Sequence, residues 1–186
     1  MLAAVSGRVL IRTALALIAT LALTAGAAQA ATRKVPRGFF GVNSSGSIES
    51  TPAGVQRGQW DRLATGGAES VRILFNWDIA QKKKGQSPDW SLNDQLITYA
   101  TEHGMKVLPT VEYAPAWAKR YPDQISSPPR GTGPYTAFLR KAIQRYGPNG
   151  DFWAQYKLLH PLAEPRPLRE WQVWNEPEIA FHWYRK

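Results

Sequence analysis

The chain has no cysteine, which excludes a small disulfide-stapled scaffold and leaves stability to a packed core. It also lacks a Gly-rich phosphate loop of the G-x-G-x-x-G or G-x-x-x-x-G-K-[ST] kind after any apolar run, which removes the main argument for a nucleotide site. No G-x-S-x-G elbow is present to expose a nucleophilic serine. No His/Cys/Asp cluster has metal-ligand spacing, so neither a metal nor another cofactor is expected. There is no internal repeat and no low-complexity segment. Acid is scarce: 14 Asp and Glu stand against 23 Lys and Arg, a formal charge of +9.

What is present begins with a targeting segment. Arg8 and Arg12 precede an uncharged stretch, 13–31, that ends in the A-x-A pattern Ala28, Gln29, Ala30. This reads as a secretory signal peptide over 1–30 followed by one domain over 31–186. The alternative is a retained anchor, since the stretch reaches the lower limit of about 17 residues for a spanning helix. With cleavage, a secreted protein without stable membrane insertion is expected. The mature chain stays basic and could favour anionic surfaces. Its one dense cluster, Lys82 to Lys84 beside Gly85, reads as a solvated loop, and without a reading motif no nucleic-acid partner is expected. Eight tryptophans point elsewhere, because flat amphipathic rings suit sugar faces as well as core packing.

"GFFGVN" (38–43) is a short β-favouring run. Residues 52–64 carry Val55, Gln59, Trp60 and Leu63 at near-helical spacing, although Gly54 and Gly58 each cost about 1 kcal/mol against alanine. "SVRILFNW" (70–77) has the near-continuous apolar character of a strand buried on both faces. A helix follows, capped by Ser91, with Leu92, Leu96 and Ala100 on one face beside Ile97 and Tyr99, and it stops at Gly104. His103 suits a helix C-terminal cap. "MKVLPTVEY" (105–113) is a third strand in which Pro109, lacking an N–H, implies a bulge or irregular edge. Pro134 opens a helix with the stripe Phe138, Leu139, Ala142, Ile143 and Tyr146, closed by Gly147 and Pro148. A Pro-rich connection, 148–168, leads to a fourth strand, "REWQVW".

Such β/α alternation calls for a parallel sheet with helices outside. It fits an open doubly wound sheet, a self-contained half barrel, or the front half of a (β/α)8 barrel. In a barrel the chemistry sits at the C-terminal strand ends. The residues closing these runs are Asn43; Asn76, Trp77 and Asp78; Glu112, Tyr113 and Trp117; and Asn175, Glu176 and Glu178, a composition suited to a carbohydrate. Pro177 should hold Glu176 extended and so fix its carboxyl. A ring such as Trp174 packed on that carboxyl would desolvate it and let it carry a proton to a leaving oxygen. Asn175 can both donate to and accept from a sugar hydroxyl. Taken alone, Asn-Glu-Pro also suits an ordinary polar turn at a strand end.

In context, "WQVWNEPE" (171–178) resembles the acid/base signature of clan A glycoside hydrolases, in which Asn-Glu closes barrel strand four. The resemblance extends through "GVN", "VRILFNW", "VLPTVEYAPAWA" and "RYGPNGDFW". The last segments look most like bacterial members of family 39, the β-xylosidase-like group, with the cellulase-like family 5 a near neighbour. It implies an α/β fold that is the N-terminal half of a (β/α)8 TIM barrel, about four parallel strands with outer helices. It further implies a retaining β-glycosidase acting on an oligosaccharide or polysaccharide from plants or microbes.

By that resemblance Glu176 is the general acid/base, Asn175 contacts the hydroxyl next to the reacting carbon, and Arg72 orients the nucleophile. On the residues alone Arg72 equally suits a structural pairing with a carboxylate. Trp77, Trp117 and Trp183 are candidate sugar platforms, with core packing as the equal alternative; Glu112 and Asp78, near the rim, are assigned no catalysis. A retaining enzyme needs two carboxyl groups about 5–5.5 Å apart, and in the family the second closes strand seven. The expectation is therefore an N-terminal portion, inactive alone, with open sheet edges that favour self-association. The alternative is a secreted carbohydrate-binding or wall-associated module without catalysis.

Overall fold

The computed structural model describes residues 34–44 and 46–185, so the signal peptide expected over 1–30 lies outside the described residues. The chain divides into two compact units, Met1–Pro36 and Arg37–Lys186, and the fold is that of the second. Among the described residues no helix is long and apolar enough to cross a membrane.

Four strands form one sheet: β1 (Gly41–Asn43), β2 (Ser70–Asn76), β3 (Lys106–Glu112) and β4 (Gln172–Val173). They run parallel and neighbour one another in chain order. A doubly wound sheet reverses its strand order at a switch point; this one does not, which removes that alternative. The connections carry helices α1 (Ala53–Thr65), α2 (Trp77–Ala80), α3 (Ser91–Glu102), α4 (Thr132–Tyr146) and α5 (Asp151–Leu159).

The ladder between β2 and β3 runs unbroken from Ser70↔Lys106 to Asn76↔Glu112. Along β2 burial alternates residue by residue. Val71, Ile73 and Phe75 are fully buried, whereas Arg72, Leu74 and Asn76 are only half-buried. The expectation of a strand buried on both faces is thus corrected: one face meets the helices and the other opens onto a cleft. Pro109 sits within β3, opposite Ile73, without the expected bulge. Val111 accepts from Trp174 N–H, so by strand alternation Pro109 faces the β4 side as well. Pairing with β4 begins only at Thr110, and the missing donor costs no ladder bond.

The helix-side core is largely aromatic. Phe138 stacks between Trp77 and Trp90 at 5.6 and 5.3 Å, and Tyr146 meets Phe75, Trp90 and Phe152 at 5.3–5.7 Å. Arg145 and Tyr146 both hydrogen-bond the Asp94 carboxylate, at 2.6–2.9 Å, which ties α4 to α3. From the α4 stripe Phe138, Ala142 and Tyr146 are buried, but Ile143 is 41% exposed. The first helix forms despite its two glycines because Trp60 and the side chain of Gln56 are buried. Gln56 donates to the carbonyls of Ile48 and Thr51 and accepts from Gln95.

Three local expectations change. Ser91 is the first residue of α3 rather than its cap; the Asp89 carboxylate accepts from Ser91 N–H and Oγ–H instead. The strand expected to include Trp77 stops at Asn76, whose side chain accepts from Ile79 N–H and starts α2. Within the Pro-rich connection lies a real helix, α5, whose Phe152, Trp153 and Tyr156 are buried. Its start packs so tightly that a Cβ on Gly150 would collide with the Arg145 carbonyl. Gly104 takes φ +71, the left-handed stop expected of it. His103 hydrogen-bonds the Tyr99 carbonyl at 2.7 Å and Asp61 at 2.8 Å, as a helix-end cap does.

Replacing Trp77 by alanine is expected to cost about 3–5 kcal/mol, whereas Ile143→Ala should stay within about 0.5 kcal/mol. Urea denaturation followed by far-UV circular dichroism separates the two.

Candidate functional site

The register of the sheet brings residues of β1, β2 and β3, together with the turn after β4, to one rim. There they line a cleft of about 510 Å³ formed by Asn43, Arg72, Leu74, Thr110, Glu112, Asn175 and Glu176, with Tyr113, Phe181 and His182 closing it. Arg72 lies at the centre. Its guanidinium donates to Asn43 Oδ1 at 3.0 Å, Gln172 Oε1 at 2.8 Å and Asn175 Oδ1 at 2.6 Å. No ion pair to Arg72 is present among the described residues, so the pairing with a carboxylate is replaced by contacts with three neutral amides.

Asn175 and Glu176 reach the cleft through an irregular backbone. In plain strand alternation Trp174 would share the inner face with Gln172. Trp174 instead takes φ +63, which resets the alternation. Its indole is buried beside Tyr135 and Trp183, and Asn175 turns inward to Arg72. Glu176 takes φ +39, not the extended conformation expected before Pro177. The backbone here is held by Gln172 Nε2, which donates to the Trp174 carbonyl at 2.9 Å, and by Ile179 N–H, which donates to the Glu176 carbonyl at 2.9 Å.

The environment of Glu176 also differs from expectation. Its side chain is 51% exposed, and its polar neighbours are His182 Nε2 at 3.2 Å and Asn175 Nδ2 at 3.4 Å. The buried carboxyl of the cleft is Glu112, whose side chain is 5% exposed. Burial pushes the Glu112 carboxyl above its ordinary range, opposed by its hydrogen bond with His182 and by the charges of His182 and Arg72, and reinforced by the charge of Glu176. His182 Nδ1 lies 3.1 Å from Glu112 Oε1. One imidazole thus stands between two carboxyl groups.

Of the residues singled out from sequence, Arg72, Asn175 and Glu176 come together at the cleft. The tryptophans do not. Trp77 is fully buried, its Nε1 donating to Gln81 Oε1, and offers no face to a sugar. Trp117 packs edge-on against Trp77 and donates to the Gln81 carbonyl, and Trp183 packs against Trp174; neither borders the cleft. The exposed aromatic at the rim is Phe181. Sequence reading missed His182, Phe181 and the weight of Glu112. Strand parity places Glu112 on the same face as Thr110, but nothing short of the turns after Glu176 places His182.

No protein-family model matches the chain, and no curated protein does. Solved structures do resemble it. A family 39 β-xylosidase from Caulobacter crescentus superposes with a TM-score of 0.53 at 22% identity, covering 81% of this chain and 34% of that one. A monomeric β-xylosidase from Caulobacter crescentus CB15 gives 0.52 at 22%, covering 81% and 31%. A family 39 glycoside hydrolase from the gut symbiont Bacteroides cellulosilyticus WH2 gives 0.44 at 20%, covering 74% and 24%. The fold is therefore α/β, four parallel strands of a partial (β/α)8 barrel, and the chain spans about a third of the length of the two Caulobacter structures.

Glu112 generates a pH prediction. The folded state holds its proton more tightly than the unfolded chain, so this group's contribution to stability falls as pH rises from the ordinary value of 4.5 through the raised one. Glu112→Gln, which keeps an acceptor for His182, should gain stability relative to the parent across that window and then level off. Urea denaturation at pH steps from 4 to 8 gives the difference; a difference that shrank with rising pH would contradict the burial argument. Arg72→Lys should cost about 1–3 kcal/mol by leaving amide oxygens without donors, measured in the same way.

Proposed function

We propose that the chain is the front half of a secreted retaining β-glycosidase, with Glu176 as the general acid/base. The observation that carries this reading is the convergence of Arg72, Asn175 and Glu176 at the C-terminal ends of four parallel strands, where barrel enzymes hold their chemistry. In this reading Glu176 protonates the leaving glycosidic oxygen and later deprotonates the attacking water. Its exposure to the cleft suits both tasks. Asn175 has its Oδ1 taken by Arg72, so its Nδ2 is the group left to donate toward a sugar hydroxyl beside Glu176. Phe181, 76% exposed at the rim, replaces the three tryptophans as the candidate sugar platform.

Retention needs an attacking carboxylate about 5–5.5 Å from the acid/base. Glu112 is unsuited to that role, being buried, engaged by His182 and disfavoured as an anion. The nucleophile is thus assigned to sequence outside these four strands. The partial coverage of the β-xylosidase structures supports this, as do the free edges of β1 and β4 within the described sheet. Secretion is proposed on the signal-peptide pattern of 1–30. The second reading, a carbohydrate-binding module without catalysis, is favoured by the exposure of Phe181 and predicts binding with no turnover in any longer form.

The test is made on the polypeptide extended through its remaining strands. Glu176→Gln should lower turnover of alkyl β-glycosides by about 10²–10⁴-fold. It should lower cleavage of dinitrophenyl β-glycosides far less, because that leaving group departs without a proton. Equal losses on both substrates would remove Glu176 from the acid role, and binding with no turnover in the parent would select the module.

A further inference from the structure

We infer that His182 is a proton-controlled clamp on Glu176, a positioning residue whose ring exchanges one partner for another as it gains or loses a proton. The consequence for catalysis rests on the glycosidase reading above, whereas the clamp itself rests on contacts within this chain.

The orientation of Asn175 decides the matter. Arg72 Nη2 donates to Asn175 Oδ1 at 2.6 Å, which fixes which end of the amide faces His182. The nitrogen end, Nδ2, lies 3.1 Å from His182 Nε2 and 3.4 Å from Glu176 Oε2. An amide nitrogen only donates. For that contact to be a hydrogen bond His182 Nε2 must be bare, with the ring proton on Nδ1 facing Glu112 Oε1 at 3.1 Å. Yet Nε2 is also 3.2 Å from Glu176 Oε2, and an ionised carboxylate oxygen only accepts. That approach is an ion-pair distance, and it becomes attractive when Nε2 carries a proton.

A single nitrogen serves one of these partners at a time. Neutral, the ring accepts from Asn175 and leaves Glu176 to the cleft. Protonated, it donates from Nδ1 to Glu112 and from Nε2 to Glu176, while Asn175 Nδ2 turns to Glu176 Oε2. The groups facing the ring are Glu112 from β3, Asn175 and Glu176 from the turn after β4, and, through Asn175, Arg72 from β2; Tyr113 borders the same cleft. The backbone of His182 is fixed independently, its carbonyl accepting from Trp174 Nε1 at 2.7 Å and its N–H donating to the Ile179 carbonyl. The ring therefore changes partners without moving far.

In the glycosidase reading Glu176 regains its proton from the attacking water, so the ring supplies none; the protonated clamp orients the Glu176 carboxylate between the two proton transfers, and the neutral ring releases it.

The test uses the 1–186 chain labelled with 15N-histidine and 13C-glutamate, titrated by NMR. The neutral ring of His182 should be the Nδ1–H tautomer, and the Glu176 carboxyl carbon should show a second inflection at the His182 midpoint. Glu112→Gln, which keeps an acceptor for the Nδ1 proton, should leave the neutral ring as the Nδ1–H tautomer. His182→Gln should remove the second inflection of Glu176, and should this variant not fold, the tautomer and the paired inflection in the parent carry the test. An Nε2–H tautomer or a single Glu176 inflection in the parent overturns the clamp. These readouts involve no turnover, so the clamp and the glycosidase reading fail separately.

Discussion

One guanidinium reaches from the first strand to the last and determines where the polar side chains of this cleft point. Arg72 springs from β2, and its planar fork of donors takes an amide oxygen from β1, another from β4 and a third from the residue before Glu176. A lysine ammonium also carries three donors, but at one point on a flexible stem rather than in a fixed planar fork. Because all three are neutral, the charge of Arg72 is not cancelled by contact. It acts across the cleft on Glu112, where together with His182 it opposes desolvation without overcoming it. The anchoring contact and the electrostatic character of the cleft are thus one arrangement.

The two faces of the sheet support different things. On the helix side, Phe138 stacked between two indoles and Tyr146 bonded to Asp94 give a dense, directional core. Rings locked against one another hold β2 and β3 in a seven-residue register, and that register sets Asn76 beside Glu112 and Thr110 beside Gln172. The inner face has no such packing. It is lined by polar groups whose positions come from hydrogen bonds to each other, so precision in the cleft is borrowed from the aromatic layer behind it.

Sequence periodicity made the architecture legible where the physical signal was long. The helix at Ser91–Glu102 carries its pattern over several turns, and the strand at Ser70–Asn76 shows as a near-continuous apolar run, although its one-faced burial did not. The helix at Asp151–Leu159 was hidden because Pro148 and Gly150 before it and Pro161 after it read as loop, although Phe152, Trp153 and Tyr156 hold helical spacing between them. For the cleft, Arg72, inside β2, was singled out through the family resemblance, whereas Asn175 and Glu176 were readable from strand ends. The tryptophans were not, because composition cannot tell a ring facing sugar from one filling a core. His182 was invisible for another reason: its position depends on consecutive turns, in which Ile179 N–H bonds the Glu176 carbonyl and His182 N–H bonds the Ile179 carbonyl. No periodicity records such a path.

Those turns also explain an unusual backbone. Trp174 and Glu176, two non-glycine residues separated by Asn175, both take positive φ, conformations that cost on the order of 1–3 kcal/mol each. Burial of a whole indole offsets such a cost only if the strand is broken where it is, since an unbroken β4 would aim Trp174 into the cleft. The buried indole then donates to the His182 carbonyl, which draws the following turn back over the strand end and sets the imidazole against Glu112. The strain at Trp174, the inward turn of Asn175 and the arrival of His182 beside Glu176 therefore have one cause. A tryptophan expected from the motif to shield the carboxyl acts from behind, pinning the turn that delivers a histidine to it.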